Sequence, residues 1–443
     1  MNKLLLILSV FIILIIFVSS CAPLQSATAS SIIYTSTPAP TVTPSSTATV
    51  TNTPQPTLTP TITPIAAANT IRVPEDQPTI QAGIDAAHDG DLVLVSPGVY
   101  TENVIIVDKI VTLASRFCTT GDEQFIRDTI IDGNGESVIT VRKHKKLAGE
   151  ETKIIGFTVQ NGDDGISARG GIIQILNNRF LNNKDGVDYQ NNEGLNSGNL
   201  YENNADDGID LDGSTGVTIQ NNIIRNNKDD GIEIRLHEYR GSTLNVIIRY
   251  NTISGNHEDG IQLIDYPDVT DRVFVIERNL IQENAQVGLG LMDNTDTNED
   301  YRAASIPERI LLINNTFTGN LYSVTGGANL IALNNLFLNS SAIGLKNVAA
   351  NSIVANNLFW HNGTDSEGSN IDPNTNLFTD PLLNTKYQIQ QDSPAIDHGI
   401  ALFEWKGEIV LNLPSSDYLG AAPDLGAYET NFTQAHGAFR GDN

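Results

Sequence analysis

Two phrases of this chain concentrate carboxylates where a coiling backbone can gather them: ADDGIDLDG at 205–213 and KDDGIEIRLH at 228–237. A third, KDGVDYQ at 184–190, has the same shape. If the Ile or Val after each glycine points into a core, strand alternation sends the next residue outward. The first outward column is then Ser167, Asp188, Asp210, Glu233 and Gln262, and the second is Arg169, Gln190, Asp212, Arg235 and Ile264. Stacked coils gather Asp188, Asp210, Asp212, Glu233 and Arg235 onto one exposed patch, with His237 next along its strand. Two carboxylates at suitable separation supply the acid and the base or nucleophile of glycoside cleavage. A cation-bound uronate beside a basic side chain suits proton abstraction next to a carboxyl group instead. In that reading Asp188, Asp210 and Glu233 are candidate cation or substrate ligands, and Arg235 is the candidate base or charge stabiliser. An acidic outer surface also serves solubility alone, so the residues by themselves leave all three roles open.

The Asp-Gly pairs invite a plainer explanation. Gly accepts positive φ and Asp caps nearby amides, so Asp164, Asp185, Asp207, Asp230 and Asp259 read first as turn residues. Their doubled partners Asp163, Asp206, Asp229 and Glu258 do not follow from a turn. Coils about 4.8 Å apart set these charges against one another, costing about 3.5 kcal/mol per pair at an effective dielectric of 20. A hard cation, Ca²⁺, held by Asp206, Asp207, Asp229 and Asp230, is the expected relief. Lys184 and Lys228 are the alternative counter-ions.

What positions these residues is a repeat. Asn178, Asn199, Asn222, Asn251, Asn279, Asn315, Asn335 and Asn357 each precede or join an apolar pair, at spacings of 21, 23, 29, 28, 36, 20 and 22. Gly165, Gly186, Gly208, Gly231, Gly260 and Gly288 keep the same step. The longer steps carry inserts at 236–245 and 292–309. Phrases such as VTIQ and NVIIRY alternate with turn chemistry, and no helical period lies between them. One coil cannot bury its own apolar side, but stacked coils can. The spacing therefore predicts an all-β parallel β-helix over 69–385, with 386–443 as its C-terminal cap and tail. Before the repeats, TIQAGIDAAHDGD places Ile80, Ile84 and Ala87 on one helical face, a short capping helix stopped at Gly90 and covering the open edge. A column of Asn at equivalent turns is expected to hydrogen-bond along the stack and to tolerate left-handed backbone.

PTIQAGIDAAHDGDLVLVSPGVYTENV resembles the N-terminal entry of right-handed parallel β-helix proteins of the pectin-lyase-like superfamily, and the DGI coils resemble their repeats over roughly 71–365. DSPAIDHGI at 392–400 and PDLGAYE at 423–429 resemble the C-terminal signature of bacterial surface proteins of this kind. The resemblance implies a single-stranded right-handed solenoid. It spans lyases, esterases, polygalacturonases, epimerases and non-catalytic surface proteins, so it does not choose an activity. The polygalacturonase pattern NTDGID…DDC is partly matched by Ala205 to Asp210 and by Asp229-Asp230-Gly231, without the Gly-His-Gly and Arg-Ile-Lys that follow it there.

The N-terminal segment concerns address. Lys3 and the apolar run Leu4 to Val18 read as a signal peptide over 1–20. Val18-Ser19-Ser20-Cys21 resembles the lipobox of bacterial lipoproteins, which implies lipidation at Cys21. Residues 22–68 carry no charged side chain and are dominated by Thr, Pro, Ser and Ala, the composition of an extended stalk. With Cys21 assigned to lipid, Cys118 stands alone in the folded part as a buried, inert thiol. A formal charge of −26 argues against nucleic acid and predicts repulsion from anionic polysaccharide unless a cation intervenes. The expectation is a monomeric, lipid-anchored protein of the cell envelope, bound to the membrane only through its lipid. It binds or modifies extracellular, uronate-containing polysaccharide in the manner of a lyase or epimerase. A non-catalytic carbohydrate-binding or adhesion module, a polygalacturonase-like hydrolase and a surface spacer are the alternatives.

Overall fold

A computed structural model describes residues 68–143, 151–266, 270–292 and 306–432. Cys21, the expected signal segment, the expected stalk up to residue 67 and most of the 292–309 insert lie outside them. Each coil lays down three strands, as in Asp164–Arg169, Ile172–Leu176 and Arg179–Leu181, and the next coil repeats them directly above. Strands of one kind pair only with their own kind, in parallel. They form a front sheet of 11 strands containing Asp164–Arg169, a side sheet of 12 containing Ile172–Leu176, and a short-strand sheet of 12 containing Arg179–Leu181. The chain is a parallel β-helix.

The core is the inward half of the alternation. Ile166, Val187, Ile209, Ile232 and Ile261 of the front sheet are fully buried. Phe317, Phe337, Phe359 and Phe378 stack through the short-strand sheet at centroid distances of 5.4, 5.1 and 5.5 Å. Such ring pairs add roughly 0.5–1.5 kcal/mol each beyond the area they bury. The helix Ile80–Ala86 covers the first coil with Ile80, Gly83 and Ile84, and Thr79 Oγ1 accepts the Ala82 N–H at its start. Ala87 is buried as expected, but it is also where the helix stops, its backbone already extended. Lys109 Nζ donates to the carbonyls of Ile84, Asp85 and Ala87 and closes that end. Gly90, at φ 89°, instead turns the chain into the strand Leu92–Val95. Cys118 is buried, and burial pushes its thiol up to about 11, which suits an inert role.

Three side-chain ladders hold the coils in register. The asparagine column from Asn178 to Asn376 is continuous: each Oδ1 accepts the backbone N–H of the asparagine below at 2.8–3.0 Å. A second column runs through Asn183, Asn204, Asn227, Asn256, Asn284 and Asn320. The left-handed backbone belongs to the residue before each ladder member, for example Asn177, Asn221, Tyr250, Arg278 and Asn314. Turning and bonding are thus divided between neighbours instead of shared by one asparagine.

The third ladder corrects the reading of Asp-Gly as a turn. None of Gly165, Gly186, Gly208, Gly231, Gly260 and Gly288 has positive φ; each is a site of close approach. A Cβ on Gly208 would sit 2.6 Å from the Gly231 carbonyl oxygen and 2.7 Å from Ile224. Their aspartates act between coils: Asp185, Asp207 and Asp230 Oδ1 accept the N–H of Asp207, Asp230 and Asp259 at 3.1, 3.0 and 2.7 Å.

The segment after the last coils folds back along the stack. Leu411 of the hairpin Leu402–Trp405/Glu408–Asn412 packs on Ile331, Leu333 and Ile353 of the side sheet. Both C-terminal signatures lie against left-handed turn residues. Asn334 exchanges hydrogen bonds with Ile400, Asn314 Nδ2 donates to the Asp424 carbonyl at 2.8 Å, and Arg278 pairs with Glu429 at 3.2 Å.

Candidate functional site

The front sheet brings the chemical residues together in the expected register. Asp188 pairs with Asp210 and Asp210 with Glu233, while Gln190 pairs with Asp212 in the second column. The expected exposure is not found. Asp210 and Glu233 are 7% and 4% exposed although their strand neighbours Ile209, Leu211, Ile232 and Ile234 fill the core. Stacking at strand spacing buries these side chains against one another. Arg235 then lies across them, Nη1 2.7 Å from Asp210 Oδ2 and 3.8 Å from Asp212 Oδ1, with Nη2 on Glu233.

This geometry sets the protonation states. Loss of hydration is the largest influence at Asp188 and Asp210, pushing them up to about 6 and about 8. Arg169, 3.3 Å from Asp188, and Arg235 offset only part of it. Glu233 is pushed up to about 7 by burial and receives a hydrogen bond from the Asp207 carboxyl. Arg235, held by three carboxylates, is itself driven upward. A guanidinium so held does not give up its proton, which counts against Arg235 as a base.

Carboxylate oxygens of Asp188, Asp210 and Asp212 lie within 4.8 Å of one another. With Asp210 pushed up to about 8 and Glu233 to about 7, part of this group's charge is met by protons, which a divalent ion bound there would displace. Asp210 Oδ1 is buried without a hydrogen-bond partner. Unpaired buried oxygens are costly, and an oxygen-only donor set suits a hard ion.

Asp206, Asp207, Asp229 and Asp230 also converge, in overlapping groups with Glu233 and Glu258. Their charge is partly met already. Lys184 Nζ reaches Asp206 and Asp185 at 3.0 and 3.1 Å. Burial holds Asp207 and Asp230 far above the usual carboxylate range, and Asp229, pushed up to about 7, shares hydrogen bonds with Glu258 and Asp206. Protons and one lysine already offset part of the repulsion for which a cation was expected.

Two further residues complete the front face. His237 Nε2 lies 3.1 Å from Asp212 Oδ1, and its ring packs on Tyr266 at 4.5 Å. His237 is the first residue of the 236–245 insert beyond its strand. Tyr239 of the same insert lies under the guanidinium of Arg272, 5.7 Å away, on the side-sheet strand Arg272–Glu277. Tyr266 escaped the sequence reading although a signal existed. It follows His237 by 29 residues, the step that also separates Gly231 from Gly260, so it had to stand one coil above.

Comparison with known proteins gives a family model described as periplasmic copper-binding protein (NosD), matching residues 119–326, less than half of the chain. No curated protein matches. Among solved structures, pectate lyase Pel9A is similar at 14% identity, covering 83% of this chain and 98% of its own, with a TM-score of 0.48. A mutant of the periplasmic alginate epimerase AlgG follows at 13% identity, 69% and 84% coverage and a TM-score of 0.41. The Yersinia enterocolitica family 28 exopolygalacturonase gives 14%, 69%, 79% and 0.39. The fold assignment rests on the strand register described above. The donor atoms do not suit copper: every His, Cys, Asp or Glu group among the described residues that could hold a metal is made of carboxylates alone, with no imidazole or thiolate.

Proposed function

We propose that this protein acts on an acidic, uronate-containing polysaccharide outside the cytoplasm, as a lyase or epimerase, at the front-sheet patch. One observation carries the reading: a carboxylate triad with an unpartnered buried oxygen, a locked guanidinium and an Asp-oriented histidine with a neighbouring tyrosine share one face. The hydrogen beside a uronate carboxyl becomes removable only when that carboxyl is neutralised. A hard cation, Ca²⁺, at Asp188, Asp210 and Asp212 supplies that neutralisation when bound. Arg235 stabilises the charge that develops. His237, oriented by Asp212, takes the proton, and Tyr266 is placed to return one. Arg142 and Arg169, successive members of the second column, extend the patch with positive charge toward the N-terminal coils. They suit further carboxylates of a chain laid across the coils.

The test is a panel of polyuronates with purified protein in Ca²⁺ or chelator. Unsaturated-product absorbance, inversion at uronate carbons and new reducing ends are followed separately. We expect one of the first two signals, dependent on Ca²⁺ and lost in Asp188→Asn. New reducing ends without unsaturation would move the assignment to a hydrolase. Silence in every channel with polyuronate binding intact would make the protein a binding module.

The periplasmic description of the matched family supports an address beyond the cytoplasm, and the Val18–Cys21 phrase supports lipid attachment at Cys21. Labelled fatty acid should enter the wild-type chain and not Cys21→Ser, which should leave the membrane fraction. Equal labelling of both would remove the anchor.

A further inference from the structure

The C-terminal hairpin reverses at Lys406 and Gly407, with φ of 53° and 82°. Two successive positive φ values form the tight hairpin turn that Asn-Gly ordinarily fills, and lysine is a poor choice there on backbone grounds. Its side chain gives the reason. Lys406 Nζ stands 5.6 Å from the Trp405 ring centre and 2.9 Å from Asn351 Oδ1. Beside it opens a cleft of about 200 Å³ between hairpin and side sheet, lined chiefly by Arg309, Asn329, Asn351, Trp405, Lys406 and Glu408. Arg309 pairs with Glu408 at 2.9 Å across it, with Glu408 59% exposed.

We propose that this cleft is a second glycan site, separate from the front sheet, that takes one acidic sugar unit of an oligosaccharide. An indole offers a flat apolar platform for a pyranose ring. Lys406 meets the carboxylate, with Arg309, whose charge Glu408 partly offsets, beside it, while amide and carboxylate side chains bond hydroxyls. The volume admits about one ring, and the polar lining disfavours a purely apolar ligand. Because its coil residues belong to the side sheet and its turn, the site does not depend on front-sheet chemistry.

Trp405 and Trp360 are the two tryptophans of the chain, so Trp360→Phe leaves Trp405 as the only indole reporter. Titrating that full-length variant with trigalacturonate should give a saturable change in fluorescence, and maltotriose should bind at least tenfold more weakly. Lys406→Asn is the deciding substitution. It suits the left-handed turn and preserves thermal stability, yet should weaken trigalacturonate at least tenfold. Asp210→Asn should leave this titration unchanged, which separates failure here from failure of the front-sheet reading. No saturable change, equal affinity for maltotriose, or undiminished binding in a stable Lys406→Asn variant would each overturn the proposal.

Discussion

A buried carboxylate is held protonated by lost hydration and ionised by a neighbouring guanidinium, and the balance decides what it can do. At Asp210 hydration loss prevails, leaving it near 8 despite Arg235. Between the ordinary carboxylate pKa of about 4 and this value, the folded chain keeps a proton that the unfolded chain has lost. The contribution of this group to folded stability is therefore full below pH 4 and falls as pH rises to 8, by at most about 1.4 kcal/mol per pH unit. In chelator, we expect the melting temperature to decline over that window, and Asp210→Asn to flatten the decline. Ca²⁺ at pH 8 should restore the wild type and not the variant; a pH-independent melting temperature would refute this account. At His237, 41% exposed on its side chain, substitution should act on chemistry alone. His237→Ala should lower turnover by about 10²–10⁴ with melting temperature and polyuronate binding kept, the range of a lost general base. Unchanged turnover would remove it from the mechanism. The column through Asp188, Asp210 and Glu233 was legible, because glycine spacing fixes register and register fixes which side chains stack. Their depth was not. Alternation assigns a side, whereas depth comes from how closely stacked side chains pack on one another and from Arg235 lying across them, a rotamer that no spacing encodes.

At the scale of the coil, sequence spacing exposed the ladders and hid the reason for their glycines. Asp-Gly reads as a turn in isolation; against the next coil it is an aspartate bonding upward beside a glycine with no room for a methyl. Gly208→Ala should therefore be strongly destabilising without any change of φ preference. Asn222 tests the ladder itself. Its Oδ1 accepts the Asn199 N–H at 2.8 Å, and its Nδ2 donates to the Asn196 carbonyl at 3.1 Å, all within the buried wall. Asn222→Ala strands these groups, at about 1–3 kcal/mol each. We expect a total loss of about 3 kcal/mol in denaturant unfolding, against less than 1 kcal/mol for the exposed Asn226→Ala, apart from the cost of its left-handed backbone. Equal effects would mean that the column carries no special share of stability. Because a solenoid coil touches only its neighbours, the loss should centre on the coils containing Asn199, Asn222 and Asn251.

For the folded chain as a whole, the C-terminal signatures gain a physical role as a clamp between an arm and the stack. Asp424 is its pivot: fully buried, it accepts the Asp397 N–H on Oδ1 at 2.8 Å, and on Oδ2 the Thr430 N–H and hydroxyl at 2.7 and 2.9 Å. From the same turn, the Asp424 carbonyl accepts from Asn314 of the stack. Asp424→Ala removes three hydrogen bonds from a buried site, a loss of about 3 kcal/mol by the usual cost of unpaired buried groups. The coils do not need the arm for their own ladders, so the loss should be local. Hydrogen exchange should quicken across 379–432 by about two orders of magnitude, since each 1.4 kcal/mol is tenfold in the opening equilibrium. Over 151–266, several coils away, the rate should stay near that of the wild type. Protease should then cut the arm first and leave a resistant stack. Uniformly faster exchange in both regions would mean that arm and coils unfold as one unit, and that Asp424 supports the whole solenoid instead of pinning one segment to it.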